Sequence, residues 1–199
     1  MLCTIRIDTN HLKNEYLNDT ELKYLDSILK SEQDLDSDFY TSDHGDNLEC
    51  LLNFLTHNKK DIKEIIHGNN VGETLINLYT SPTISGSYDC FRFNLSTFPQ
   101  TYIPRNQVIT LYRIGRTGEC VGNLGCSWAT SIEGLNTYCN SSSLSRTTLD
   151  SRPIFVIKID DSQVLFEGEN TECELVLKPD FQYHTLSSLD ADSRGGIGR

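Results

Sequence analysis

Long apolar runs are missing from this chain: nothing approaches the ~20 consecutive apolar residues that carry a helix across a bilayer. Nor does Met1–Arg6 hold a basic segment followed by an apolar one, so neither a membrane span nor a secretory leader is expected and the sequence reads as cytoplasmic. Positive charge is also scarce. Lys and Arg total 17 against 28 Asp and Glu, a formal net charge of −11 over 199 residues, which opposes non-specific attraction to a phosphate backbone. A basic groove for a strand is disfavoured, and a basic protein surface suits this charge better. The seven cysteines, at 3, 50, 90, 120, 126, 139 and 173, include no C-x-x-C pair, and the close pair Cys120 and Cys126 has no second pair to complete a zinc site. An odd number of cysteines without a leader fits reduced, mostly buried thiols.

What is present is a polar globular composition, 37% hydrophobic and 23% charged, in a length that suits one domain or a catalytic domain with a helical addition. Residues 11–78 read as mainly helical. Leu12, Tyr16, Leu22, Leu25, Ile28 and Leu29 recur at helical spacing, with a start signal at Asp19-Thr20. An acidic, turn-rich loop over 31–47 precedes two further apolar faces, Leu48, Leu51, Leu52 and Leu55, then Ile62, Ile65 and Ile66. His67-Gly68-Asn69-Asn70 reads as a helix stop before a short helix from Glu73 to Tyr79.

From Ser81 the character changes, with Pro82, Gly86, Pro99 and Pro104 as punctuation and short β-branched or aromatic segments between turns. Strands are expected at 108–114, 126–130, 153–159, 164–166 and 172–177, with a helix over 131–140 capped by Ser131. Regular βαβ alternation is absent, which predicts an α+β fold with a mostly antiparallel or mixed sheet. The expected organisation is a helical region over 1–80 packed on a core over 81–190, with a Gly-rich flexible tail over 191–199.

Chemistry concentrates in the second half. Arg113 closes an apolar strand, where a guanidinium either pairs with a carboxylate inside the fold or presents its fork to a phosphate or ribose. Ser127 and Thr130 bracket Trp128-Ala129, and the lone Trp128 has a simple role as a core aromatic. Glu172 and Glu174 alternate on the expected strand, so both carboxylates would point to one face. Two acids there are either a solvated edge or a cleft with two roles, one steadying a cationic sugar centre and one orienting a nucleophile.

In order and setting, Leu111-Tyr112-Arg113, Gly125-Cys126-Ser127-Trp128-Ala129-Thr130 and Glu172-Cys173-Glu174-Leu175-Val176-Leu177 resemble the arginine-serine-glutamate class of ADP-ribosyltransferases, the branch found in bacterial toxins and phage proteins. The likeness covers about residues 105–180, and Ser-Trp-Ala-Thr departs from the family's Ser-Thr-Ser strand. It implies an ADP-ribosyltransferase-like mixed-sheet core, NAD as substrate and no metal. It further implies Glu174 as the catalytic acid on the nicotinamide ribose and Glu172 as the residue that positions the acceptor. Arg113, Ser127, Thr130 and Tyr112 would form the cofactor side, with Ser127 bracing the glutamate. Tyr112, though, alternates away from Arg113, and packing is its simpler role. Tyr138 or Phe166 would stack on the nicotinamide.

The same likeness implies transfer of ADP-ribose to a macromolecule, with protein arginine favoured and nucleic acid the alternative acceptor. A toxin or phage-defence role would bring a neutralising antitoxin or immunity protein as partner. Two other readings stand beside it: an NAD glycohydrolase with water as nucleophile, and a non-catalytic interaction protein in which Arg113 and Glu174 form a structural pair. A cysteine hydrolase is the weakest, because none of the five histidines has a recognisable relation to a cysteine.

Overall fold

A computed structural model describes residues 1–36, 46–83, 91–141 and 145–189. Gly86, Cys90 and the tail over 191–199 lie outside the described residues. Residue contacts divide the chain into two compact units, with the division between Phe98 and Pro99.

The first unit is helical. α1 (Thr9–His11) runs directly into a π turn, Leu12–Tyr16, and Asp8 caps it by accepting from the Asn10 and His11 amides, each at 3.0 Å. α2 (Asp19–Ile28) begins with a reciprocal cap: Asn18 Oδ1 accepts from the Glu21 amide while Glu21 Oε2 accepts from the Asn18 amide. Asn18 is the cap, one residue before the start signal read from Asp19-Thr20. α3 (Asp46–His57), α4 (Lys59–Ile66) and α5 (Val71–Tyr79) follow, and Leu48, Leu51, Leu52, Leu55 and Ile62 are buried as their spacing predicts. Gly68 and Asn70, both at positive φ, turn the chain between α4 and α5.

Phe91, Phe93 and Phe98 belong to this helical unit. Phe91 packs on Phe54 with ring centroids 4.9 Å apart, and Phe93 lies against Tyr79 and Phe98 at 5.8 Å each. A single bridge joins Ile7 to Phe93. These contacts carry the unit past the composition change at Ser81 to Phe98, and among the described residues the first strand begins at Val108.

The second unit is a six-stranded antiparallel sheet with helices on it. Its strands are β1 (Val108–Ile114), β2 (Ser127–Ala129), β3 (Ile154–Asp160), β4 (Val164–Glu167), β5 (Glu174–Leu177) and β6 (Thr185–Leu189), in the order β4-β5-β2-β1-β3-β6. α6 (Ile132–Ser141) and α7 (Arg146–Ser151) lie between β2 and β3 in sequence. Thus the α+β class with an antiparallel sheet is observed among the described residues.

Register sorts side chains between two cores, because residues opposite one another in an antiparallel ladder share a face. Tyr112 stands opposite Ala129 and Val156, and Ala129 opposite Glu174. That face packs Ile114, Ala129 and Ile154 against Leu135, Cys139 and Leu149 of the two helices, with Tyr112 and Tyr138 at its margin. The other face packs Leu111, Trp128, Phe155, Ile157, Leu175 and Phe181. Trp128 is 1% exposed, and its indole N–H donates to the Gly125 carbonyl at 2.8 Å, so burial leaves no polar atom stranded.

Candidate functional site

Three parts of the second unit converge: the end of β1 with its following loop, the short strand β2, and the turn that leads into β5. Arg113 comes from the face of β1 opposite to Tyr112, and its guanidinium is engaged at each nitrogen. Nε donates to Glu119 Oε1 at 2.7 Å, Nη2 to Glu119 Oε2 at 3.0 Å and Nη1 to the Ser127 carbonyl at 2.8 Å. Glu119 also accepts from the Gly125 amide at 2.7 Å and the Arg116 amide at 2.8 Å. The pair is buried, Arg113 at 10% and Glu119 at 4% exposed. Burial alone would push the Glu119 carboxyl up, but the Arg113 guanidinium and the two amides outweigh it and hold the group below the usual carboxylate range. A Cβ on Gly125 would run into the Arg113 guanidinium, so a side chain here would displace the guanidinium from this arrangement.

Of the two environments that sequence allowed for Arg113, the structure has the carboxylate inside the fold. That carboxylate is Glu119, and the expected structural pair of Arg113 with Glu174 is corrected accordingly. Glu119 is the sole acid between Arg113 and Ser127, a signal that could have singled it out.

Ser127 and Glu174 are brought together. The Ser127 hydroxyl donates to Glu174 Oε1, and Glu174 Oε2 accepts from the Glu169 amide at 2.8 Å. A Cβ on Gly168 would strike the same carboxylate, so the chain passes close behind it. Both residues are only half-buried.

Glu172 departs from expectation. It ends a 3₁₀ turn, Asn170–Glu172, rather than lying on a strand, and Cys173 after it is left-handed with φ 49°. The alternation that would have put both carboxylates on one strand face therefore does not exist. Two local anchors explain the difference: Glu169 caps the turn by accepting from the Thr171 amide at 3.1 Å, and Thr130 holds the Cys173 carbonyl through its amide at 3.0 Å and its hydroxyl at 3.2 Å. Strand pairing then starts only at Glu174. The Glu172 carboxylate accepts from Ser141 on α6 at 3.1 Å. Burial, aided by the charges of Glu174 and Glu169 and opposed by the Ser141 bond, pushes its carboxyl above the usual range. α6 approaches this turn so closely that a Cβ on Gly134 would meet the Glu172 backbone carbonyl.

The remaining aromatics separate. Tyr112 shares the sheet face of Ser127 and Glu174, half-buried beside Tyr138, whose hydroxyl is pushed up by burial with Arg152 and Arg113 opposing. Phe166 is fully buried in β4, which removes it from any stacking role on a ligand. The Cys126 thiol is pushed up to about 11, mainly by burial against the opposing charges of Arg113 and Arg116, and so holds little thiolate for nucleophilic chemistry. Among the described residues no group of three His, Cys, Asp or Glu side chains could hold a metal ion, and no helix is long and apolar enough to cross a membrane.

Sequence reasoning gave no role to Glu119, Glu169, Ser141, Gly125, Gly134 or Gly168. Glu119, Glu169, Gly125 and Gly168 act through loop geometry, and Ser141 and Gly134 through the approach of α6 to the turn, neither of which side-chain periodicity reports. No protein-family model matches this chain, and neither a curated protein nor a solved structure matches it.

Proposed function

We propose that this protein is an NAD-dependent mono-ADP-ribosyltransferase, with an ADP-ribosyltransferase-like core, that releases nicotinamide and transfers ADP-ribose to a macromolecular acceptor. One observation carries the reading: the Glu174 carboxylate is held between the Ser127 hydroxyl and the Glu169 amide, with Arg113 fastened to the carbonyl of the same serine. Such a carboxylate is oriented before substrate arrives, which is where most electrostatic catalysis resides. Glu174 would accept a hydrogen bond from a hydroxyl of the nicotinamide ribose and steady the positive charge on its anomeric carbon. The bond from that carbon to the nicotinamide nitrogen breaks, and its electron pair leaves with nicotinamide. A nucleophile then bonds to the anomeric carbon.

Glu172, whose carboxyl lies above the usual range, suits acceptance of the nucleophile's proton, since a base nearer neutrality is a better match for that step. Thr130 and Ser127 brace the turn and the acid, and Tyr112 lines the same sheet face. Protein arginine is the favoured acceptor and nucleic acid the alternative; with water in its place the same site is an NAD glycohydrolase. The biological role that accompanies this activity is a bacterial or phage toxin or host-modifying enzyme, with an antitoxin or immunity protein as its partner.

The complete engagement of Arg113, by Glu119 and the Ser127 carbonyl, favours a second reading, a non-catalytic interaction protein in which these charges only stabilise the fold. NAD labelled on its adenylate portion separates the two. Label transferred to cell protein, RNA or DNA by the parent and not by Glu174→Gln supports the transferase and names the acceptor class. Nicotinamide release without transfer supports the glycohydrolase. Absence of NAD binding and turnover leaves the interaction protein.

A further inference from the structure

We infer that Glu119 is a positioning residue for the Ser127–Glu174 site, acting through Arg113, an inference that rests on the NAD-dependent reading above. The contacts form an unbroken series. Glu119 grips Arg113 at two nitrogens, the third nitrogen of Arg113 fixes the Ser127 carbonyl, and the hydroxyl of that serine holds Glu174. The same carboxylate closes the loop at both ends, through the Arg116 amide just beyond β1 and the Gly125 amide just before β2.

β2 is only three residues long, and although it pairs with β5 throughout, it meets β1 at a single pair, Tyr112 with Ala129, so little of the ladder sets its position against β1. Its approach is instead set from Gly125, whose amide is bound by Glu119 and whose carbonyl accepts from Trp128. Filling space there needs no charge, because an apolar pair of similar volume serves stability as well or better. What the charged pair supplies and an apolar pair does not is direction: a planar fork and a carboxylate with four donors have one arrangement.

Each Glu119 oxygen accepts from two donors, Oε1 from Arg113 Nε and the Gly125 amide, Oε2 from Arg113 Nη2 and the Arg116 amide. In Glu119→Gln, either orientation of the new amide sets an N–H₂ group against two donors, so the grip fails while the shape is kept. The test compares the parent, Glu119→Gln and the double variant Arg113→Met/Glu119→Leu, which removes both buried charges together. Nicotinamide release from NAD gives kcat and KM, thermal melting gives stability, and amide exchange is followed at Glu169, which donates to Glu174, and at His184, which donates to the Lys158 carbonyl.

For Glu119→Gln the expected result is a fall in kcat of at least about tenfold with KM for NAD within about threefold, because orientation and not ground-state binding is lost. Glu169 exchange accelerates relative to His184, whereas plain destabilisation would move both together. In the double variant the melting temperature returns towards the parent while kcat and the Glu169-to-His184 ratio do not. Recovery of kcat together with melting temperature in the double variant, or an unchanged exchange ratio in both variants, overturns the inference. Should Glu119→Gln fail to fold, the double variant decides alone. Should the parent release no nicotinamide, the NAD reading falls by itself and the exchange ratio decides the positioning.

Discussion

Ser127 and Glu174 are joined diagonally across the β2–β5 ladder: Ser127 stands opposite Val176 and Glu174 opposite Ala129, yet the serine hydroxyl meets Glu174 Oε1. A diagonal bond on one sheet face requires the carboxylate to lean along the strand, and the Glu169 amide behind its second oxygen fixes that lean.

Removing the hydroxyl in Ser127→Ala therefore releases one side of the carboxylate without touching the ladder. Nicotinamide release is expected to fall roughly tenfold to a hundredfold in kcat, with KM little changed. The stability lost is about 1 kcal/mol, the net worth of one hydrogen bond. Steady-state kinetics and thermal melting measure both, and a parental kcat would show that the bond does not matter to turnover.

Arg113→Met strands the Glu119 carboxylate inside the fold and is expected to cost about 3–5 kcal/mol, while the double variant with Glu119→Leu recovers most of it. The pH dependence follows from the lowered Glu119 value. Its stabilising contribution is present above the unfolded-state carboxylate value and disappears as pH falls through the lower folded value. Chemical denaturation across the acid range should accordingly show a shallower loss of stability in the double variant than in the parent. Identical acid slopes would count against the pair.

Glu172 has the opposite sign. Its raised value means that the group contributes stability below the unfolded-state carboxylate value, and this contribution is lost as pH rises through the folded one. Glu172→Gln should raise the melting temperature at pH 7 and leave it near the parent's in acid, where the parent's carboxyl is already protonated. A lower melting temperature at pH 7 would mean that the charged form is the favoured one here.

Gly134→Ala pits helix propensity, a gain of about 1 kcal/mol, against a methyl group driven into the Glu172 carbonyl. Backbone at that distance cannot step aside without moving the turn, so overpacking of about 1–3 kcal/mol is expected to dominate. Turnover should fall along with stability, because the displaced turn carries Glu172 and leads directly into Glu174. A stabilised Gly134→Ala protein would show that α6 can retreat.

Much of the fold was legible in sequence because apolar spacing is a direct record of burial. β1 was read over its whole length, and Leu48, Leu51, Leu52, Leu55 and Ile62 lie buried where their period put them. α7 was not read, since Arg-Thr-Thr-Leu-Asp-Ser has one buried apolar residue, Leu149, and no period. β6 was missed for a similar reason: Thr-Leu-Ser-Ser-Leu is an edge strand with little apolar content. At the site, Ser127 and Glu174 were named from their strands. Glu172 was misplaced because a local turn, fixed by Glu169 and Thr130, won over the alternation of Glu-Cys-Glu. Glu119 was passed over because a loop acid gains meaning only once Gly125 and Arg113 have been folded around it.

The strand order has a consequence in time. β2 lies between β1, already synthesised, and β5, which comes much later: Ser127 and Glu174 are 47 residues apart. At roughly 5–20 residues per second on the ribosome, several seconds pass between the emergence of the serine and that of its glutamate. A chain that has not yet reached Glu174 has no held carboxylate, so whatever chemistry the pair performs begins only after that residue has emerged and β5 has paired with β2.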